Sequence, residues 1–183
     1  MIYRIGRSTR AKNRVHIFSI CAILPRMATA SRWRVLKERA QDYARCADFL
    51  SSEECSNYSG SNAPEWQNAQ EQSHFSVELA MKAAIEKGGY DTAPTSGGAG
   101  HDLKSIAKKR VKLDGYPKSL HKAAQSDRSV RENFTIFMGL TEAWMMHHRY
   151  EKFELTESKK QEYEENIDVY EAVFEWIMRK FVT

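Results

Sequence analysis

The run from His74 to Ile85 limits what this chain can fold into more than any other. It contains neither proline nor glycine and is dense in good helix formers. Ala80, Ala83 and Ala84 would let a neighbouring helix come close, while Phe75, Leu79 and Ile85 supply bulk. Glu78 and Lys82 stand one helical turn apart, so their heads can pair along one flank. An alanine-rich helix of this kind belongs inside a bundle. The rest of the chain must supply its partners.

Those partners are written as steps of three and four. Residues 32–50 place Trp33, Leu36, Ala40, Tyr43, Ala47 and Leu50 in one apolar stripe. Ser51 to Ser61 has no period and is rich in turn formers, so it reads as a loop. Asn62-Ala63-Pro64-Glu65 reads as a helix start with Asn62 as its cap, and that helix runs to Gly88-Gly89. A loop over residues 88–100 leads into a short helix with Asp102 as N-cap and Leu103, Ile106 and Ala107 inward. Gly115 and Pro117 then break the chain, and Ser119–Gln125 holds at most a short turn of helix. Val130 to Glu151 returns to long helical spacing through Phe134, Phe137, Met138, Trp144 and Met145. A last helix is expected from Ser158, where Ser158 and Gln161 form a capping box. Its apolar face would carry Tyr163, Ile167, Tyr170, Phe174, Ile177 and Phe181. No stretch carries a strand signal. The expected fold is all-α, an up-and-down bundle of four long helices plus one short helix, occupying residues 31–183 as one domain.

Composition agrees with one packed core: 183 residues are 42% hydrophobic and 28% charged, with four prolines and nine glycines, which excludes wholesale disorder. Cys21, Cys46 and Cys55 are odd in number and lack CxxC spacing. They read as reduced thiols, not as a zinc signature or a disulfide framework. The net charge of +4 is misleading, because residues 1–26 hold six bases and no acid, leaving the body at −2. Global charge therefore makes no case for nucleic-acid binding by the body. The leader, residues 1–30, places basic residues before an apolar run from Val15 to Leu24, then Ala28-Thr29-Ala30. Three readings stay open: upstream sequence before a true start at Met27, a targeting signal, or a genuine helix. The first and third make the protein cytoplasmic, and the run is too short to span a membrane.

Several groups could carry chemistry. Gly97-Gly98-Ala99-Gly100 could cradle a phosphate, but no strand precedes it and Walker spacing is absent, so a connector is expected. Glu71-x-x-His74 has the spacing of carboxylate-bridged di-iron bundles, which need a second such pair that this chain lacks. An ordinary surface pair is expected there, and no metal or cofactor. His147-His148-Arg149-Tyr150 would end the fourth long helix, with His148 one turn after Trp144. It reads either as a histidine hydrogen-bonded at the bundle end or as a functional polar cluster. Residues 104–122 carry seven bases against Asp114, a local +6, and residues 151–172 a local −5. Such a split could bind RNA or an acidic partner, or join two copies. Aromatic residues are not interleaved through the basic run, so stacking is not argued for, and a solvated face is expected.

Three motifs in order suggest a family. Glu78-x-Ala80-x-Lys82-Ala83, Gly100-His101-Asp102-Leu103 after the following loop, and Arg149-Tyr150 together resemble the HEPN domain. The final helix ending Phe174-Glu175-Trp176-Ile177 agrees with that likeness, which covers about residues 31–180. The resemblance implies a helical bundle, a homodimer or a complex with a minimal nucleotidyltransferase, and a toxin–antitoxin, defence or RNA-processing setting. It also implies a ligand groove, for nucleotide or RNA, lined by Glu78, Lys82, His101, Asp102, Arg149 and Tyr150. Many HEPN proteins are metal-independent ribonucleases using Arg followed by four to six residues and His. Here only Arg10 and His16 fit that spacing, and they lie in the leader. On the fourth long helix the order is reversed, His148-Arg149, so the expectation is a non-catalytic protein. A metal-independent endoribonuclease using His148 and Arg149, and a purely structural interaction module, are the alternatives.

Overall fold

The computed structural model describes residues 29–55, 65–92, 101–143 and 156–183. Helix α1 spans Thr29–Ser51 and α2 spans Trp66–Lys87. A short α3 (Leu103–Lys108) leads into strands β1 (Arg110–Leu113) and β2 (Tyr116–Ser119), and a second short helix, α4 (Leu120–Ser126), follows directly. Then come α5 (Arg131–Ala143), α6 (Glu157–Ile177) and a π-helical turn, Met178–Val182. The molecule is mostly helical, as its periodicity required.

Helix α2 is the centre. Residues buried along it include Ala69, Val77, Ala80, Met81, Ala83, Ala84 and Ile85, too many faces for a surface helix. Helix α1 lies along it, and α6 packs on it from another side. The α1 stripe points inward with Ala40 and Ala47 at its deepest positions, 0% and 2% exposed. Alanines on both helices remove the bulk that would hold the axes apart. Tyr43 and Phe75 fill the space beside that contact, ring centres 5.6 Å apart. Helix α2 stops at Gly89, whose φ of +83° suits only a residue without a Cβ, and the Tyr90 N–H returns to the Ile85 carbonyl.

The far side of the core is aromatic. Phe134 and Phe137 of α5 meet Trp176 and Tyr170 of α6, with centroid separations of 6.2 and 5.6 Å. The Trp176 indole donates to Asp127 at 3.0 Å, and Lys180 stands 3.5 Å from the same carboxylate. The Ser129 hydroxyl donates to it too, and that bond foremost, then the one from Trp176, holds the Asp127 carboxyl well below the usual carboxylate range.

Three expectations need correction. A β-hairpin occupies residues 110–119, where a break without strands was expected; β1 and β2 pair antiparallel, with Leu113 opposite Tyr116 and Arg110 opposite Ser119. Its turn is Asp114-Gly115, both at positive φ (51° and 83°), the conformation that matches the twist of a tight hairpin. The second correction is that two short helices, not one, flank this hairpin. Finally, the cap of α6 is Thr156, whose hydroxyl accepts from the Lys159 N–H at 3.2 Å, instead of Ser158. No helix among the described residues is long and apolar enough to cross a membrane.

Candidate functional site

Glu78 is a carboxylate inside the helix that forms the core. It is 2% exposed, on a helix whose neighbouring positions Val77 and Ala80 are fully buried. A buried carboxylate must be paired, because desolvation of an isolated charge costs several kcal/mol. Two partners meet that need. Lys82, one turn on, donates to Glu78 Oε1 at 2.6 Å and keeps only 17% of its side chain exposed. His101, from beyond the loop after α2, places Nδ1 3.0 and 3.2 Å from the two Glu78 oxygens.

The position of His101 follows from local structure. Asp102 is the N-cap of α3: its carboxylate accepts from the Lys104 N–H at 3.0 Å and the Ser105 hydroxyl at 2.5 Å. These bonds, the Ser105 hydroxyl foremost, hold the Asp102 carboxyl below its ordinary value. Leu103, Ile106 and Ala107 seat α3 on the core. His101, one residue before the cap, is thereby carried to the flank of α2. Its side chain remains 71% exposed while its Nδ1 faces Glu78. Glu78 thus orients the ring, with Nδ1–H donating to the carboxylate and Nε2 not used in that contact. A neutral ring offers a lone pair there, and a protonated one a charged N–H donor suited to an anionic oxygen.

Glu78, Lys82 and His101 are therefore brought together, and Asp102 acts beside them through the backbone of α3. His148, Arg149 and Tyr150 lie outside the described residues, as do the Gly97–Gly100 loop and the leader. Glu71-x-x-His74 is not the surface pair expected. His74 is 2% exposed, edge-on to Phe75 and Tyr170 at 6.0 and 5.8 Å, and Glu71 is half-buried. The spacing missed this because α2 buries more than one face. Among the described residues no group of three or more His, Cys, Asp or Glu side chains could hold a metal ion.

A separate groove of about 260 Å³ lies between α1, α2 and α6, lined in part by Arg45, Asp48, Ser73, Glu171 and Glu175. Burial pushes the Asp48 and Glu171 carboxyls up, and Asp48, Glu175 and Asp168 add repulsion at Glu171. Ser73 and Ser76 spend their hydroxyls on the α2 backbone, donating to the Ala69 and Ser73 carbonyls. This groove shares no residue with the Glu78 cluster.

No protein-family model matches this chain, and no curated protein or solved structure matches it either.

Proposed function

We propose that this chain is a non-catalytic, HEPN-like up-and-down bundle that binds a nucleotide or RNA phosphate beside Glu78, Lys82 and His101. It acts in the cytoplasm as a homodimer or with a nucleotidyltransferase-type partner chain. The observation that carries the ligand reading is the imidazole of His101, held through Nδ1 by a buried carboxylate while most of its side chain stays exposed. A carboxylate 3% exposed has no reason to sit in the core merely to pair with Lys82, since an apolar residue would pack there at less cost. It makes sense where it orients a second group for a ligand. The basic residues of α3 and the hairpin follow His101 directly in the chain and add the positive field a phosphate requires.

The test is a thermal-shift panel of mononucleotides and short RNAs on the full chain. A ligand that stabilises the wild type, and stabilises His101→Ala much less, supports the reading. No shift with any of them favours a purely structural module and removes the ligand.

One observation favours a second reading, a metal-independent endoribonuclease. An imidazole oriented by a carboxylate is a competent general base toward a 2′-hydroxyl. Incubation with total RNA in EDTA separates the two. Cleavage lost in His101→Ala, or in both His148→Ala and Arg149→Ala, would sink the non-catalytic reading.

A further inference from the structure

The hairpin and the start of α4 make a cation-rich surface. Arg110, Lys112 and Lys118 of the hairpin and Lys122 of α4 are all exposed, and none has a carboxylate within ion-pair distance among the described residues. Other described cations are paired, Arg32 with Glu86, Lys82 with Glu78, Lys159 with Glu162 and Lys180 with Asp127. The hairpin's acid, Asp114, sits in the turn at φ 51°.

Tyr116 stands immediately after that turn, 73% exposed, well above the 40–44% of Val35, Phe49 and Ile136. The sequence discounted stacking because aromatics do not alternate with the bases in this run. The fold changes that argument, since one aromatic at a hairpin tip needs no alternation to meet a base.

The arm is also held firmly. Val111 is fully buried and Leu113 packs against the core, so alternation turns Arg110 and Lys112 to the opposite face, about 7 Å apart along the strand, while Lys118 and Tyr116, paired with Val111 and Leu113, share the other face. At the base, Leu120 of α4 is fully buried and Ser119 caps that helix. A pre-formed arm loses little conformational entropy when it binds. Unpaired cations on both faces of a rigid ribbon and an exposed ring at its tip complement a strand that passes round the tip, offering phosphates and a splayed base. An acidic protein would satisfy the cations but give the ring nothing particular to meet.

We propose that the β1–β2 hairpin, with Lys122 of α4 at its base, holds a single-stranded RNA segment that passes round its tip, its phosphates on Arg110, Lys112, Lys118 and Lys122 and one base stacked on Tyr116. This rests on the phosphate-ligand reading of the His101 site and extends it along the chain. The experiment is fluorescence anisotropy of a labelled oligouridylate titrated with the full chain at low salt. Tyr116→Ala should weaken binding about tenfold while Tyr116→Phe retains it, the signature of stacking and not of a phenol hydrogen bond. The double variant Lys112→Glu/Lys118→Glu should abolish binding, and circular dichroism melts should match the wild type because these side chains are solvent-exposed. Oligodeoxythymidylate binding as tightly as oligouridylate overturns the assignment to RNA. A polyglutamate peptide that competes equally, with both ligands indifferent to Tyr116→Ala, makes the arm a dock for acidic protein and overturns it too. Hairpin variants that bind RNA normally, with His101→Ala deficient, sink the arm and leave the site reading standing. A wild type that binds neither RNA nor nucleotide sinks both.

Discussion

Glu78 and Asp127 are two carboxylates placed for opposite reasons. Asp127 is a structural acceptor, taking hydrogen bonds from Trp176 and Ser129 and standing near Lys180. Its depressed carboxyl contributes stability that is fully present above about pH 4, where the unfolded side chain is ionised, and is lost as the pH falls toward the folded-state value. Asp127→Asn should therefore melt below the wild type at neutral pH, and the gap should narrow as the pH is taken down toward 3. A gap that stays constant would show that its charge is not what matters. Glu78 instead spends a core position on holding Lys82 and His101. Glu78→Gln leaves Lys82 partly buried beside a neutral group, which should cost about 1–3 kcal/mol in denaturant unfolding. The Glu78–Lys82 pair was legible from their spacing of four. The depth of Glu78 was not, because in an alanine-rich helix the periodicity does not say which polar side chain turns inward. The approach of His101 was suggested only by a family likeness, since no local rule links residues 23 apart across a loop.

At the scale of elements, the long helices were readable and their ends less so. The apolar stripe of α1 and the glycine stop of α2 follow from spacing and from backbone permissiveness. The hairpin was missed although Asp114-Gly115 is a strong turn signal, because Gly115 and Pro117 read as breaks in the chain. Pro117 is tolerated in a two-stranded ribbon, where each strand has a free edge. The Ser158 capping box lost to Thr156, two residues earlier, which starts the helix sooner with an equally good hydroxyl. Two glycines test this account together. A Cβ on Gly115 or on Gly139 would meet nothing within 4 Å, so only backbone conformation separates them. Gly115→Ala, at φ +83°, should destabilise by about 1–2 kcal/mol. Gly139→Ala, inside α5, should stabilise by about 0.5–1 kcal/mol. Melting temperatures that moved the same way in both would contradict the assigned turn.

For the molecule as a whole, charge is arranged by region and not by sum. The net +4 hides a basic stretch from Lys104 to Lys122, while exposed acids such as Glu162, Glu165, Asp168 and Glu171 line α6. RNA bound through the three hairpin cations and Lys122 of α4 should weaken with salt, with a slope of log affinity against log salt of about −3. A flat salt dependence would leave stacking alone to hold the strand. The acidic groove between α1, α2 and α6 is a distinct feature. Partial burial, with repulsion from Asp48, Glu175 and Asp168, raises the Glu171 carboxyl, so its charged form disfavours the fold at neutral pH and ceases to do so as the pH falls through its range. Glu171→Gln should accordingly stabilise by a few tenths of a kcal/mol at pH 7, with the gain fading in acid. The central claim is that Glu78 presents the His101 ring to a phosphate. Histidine ring NMR tests it most directly, with the resonance among the six histidines assigned by His101→Ala. On titration with a nucleotide or short RNA, the His101 Nε2 signal should move in the wild type and lose that response in Glu78→Gln. A His101 ring that does not shift while the ligand binds elsewhere would contradict the account.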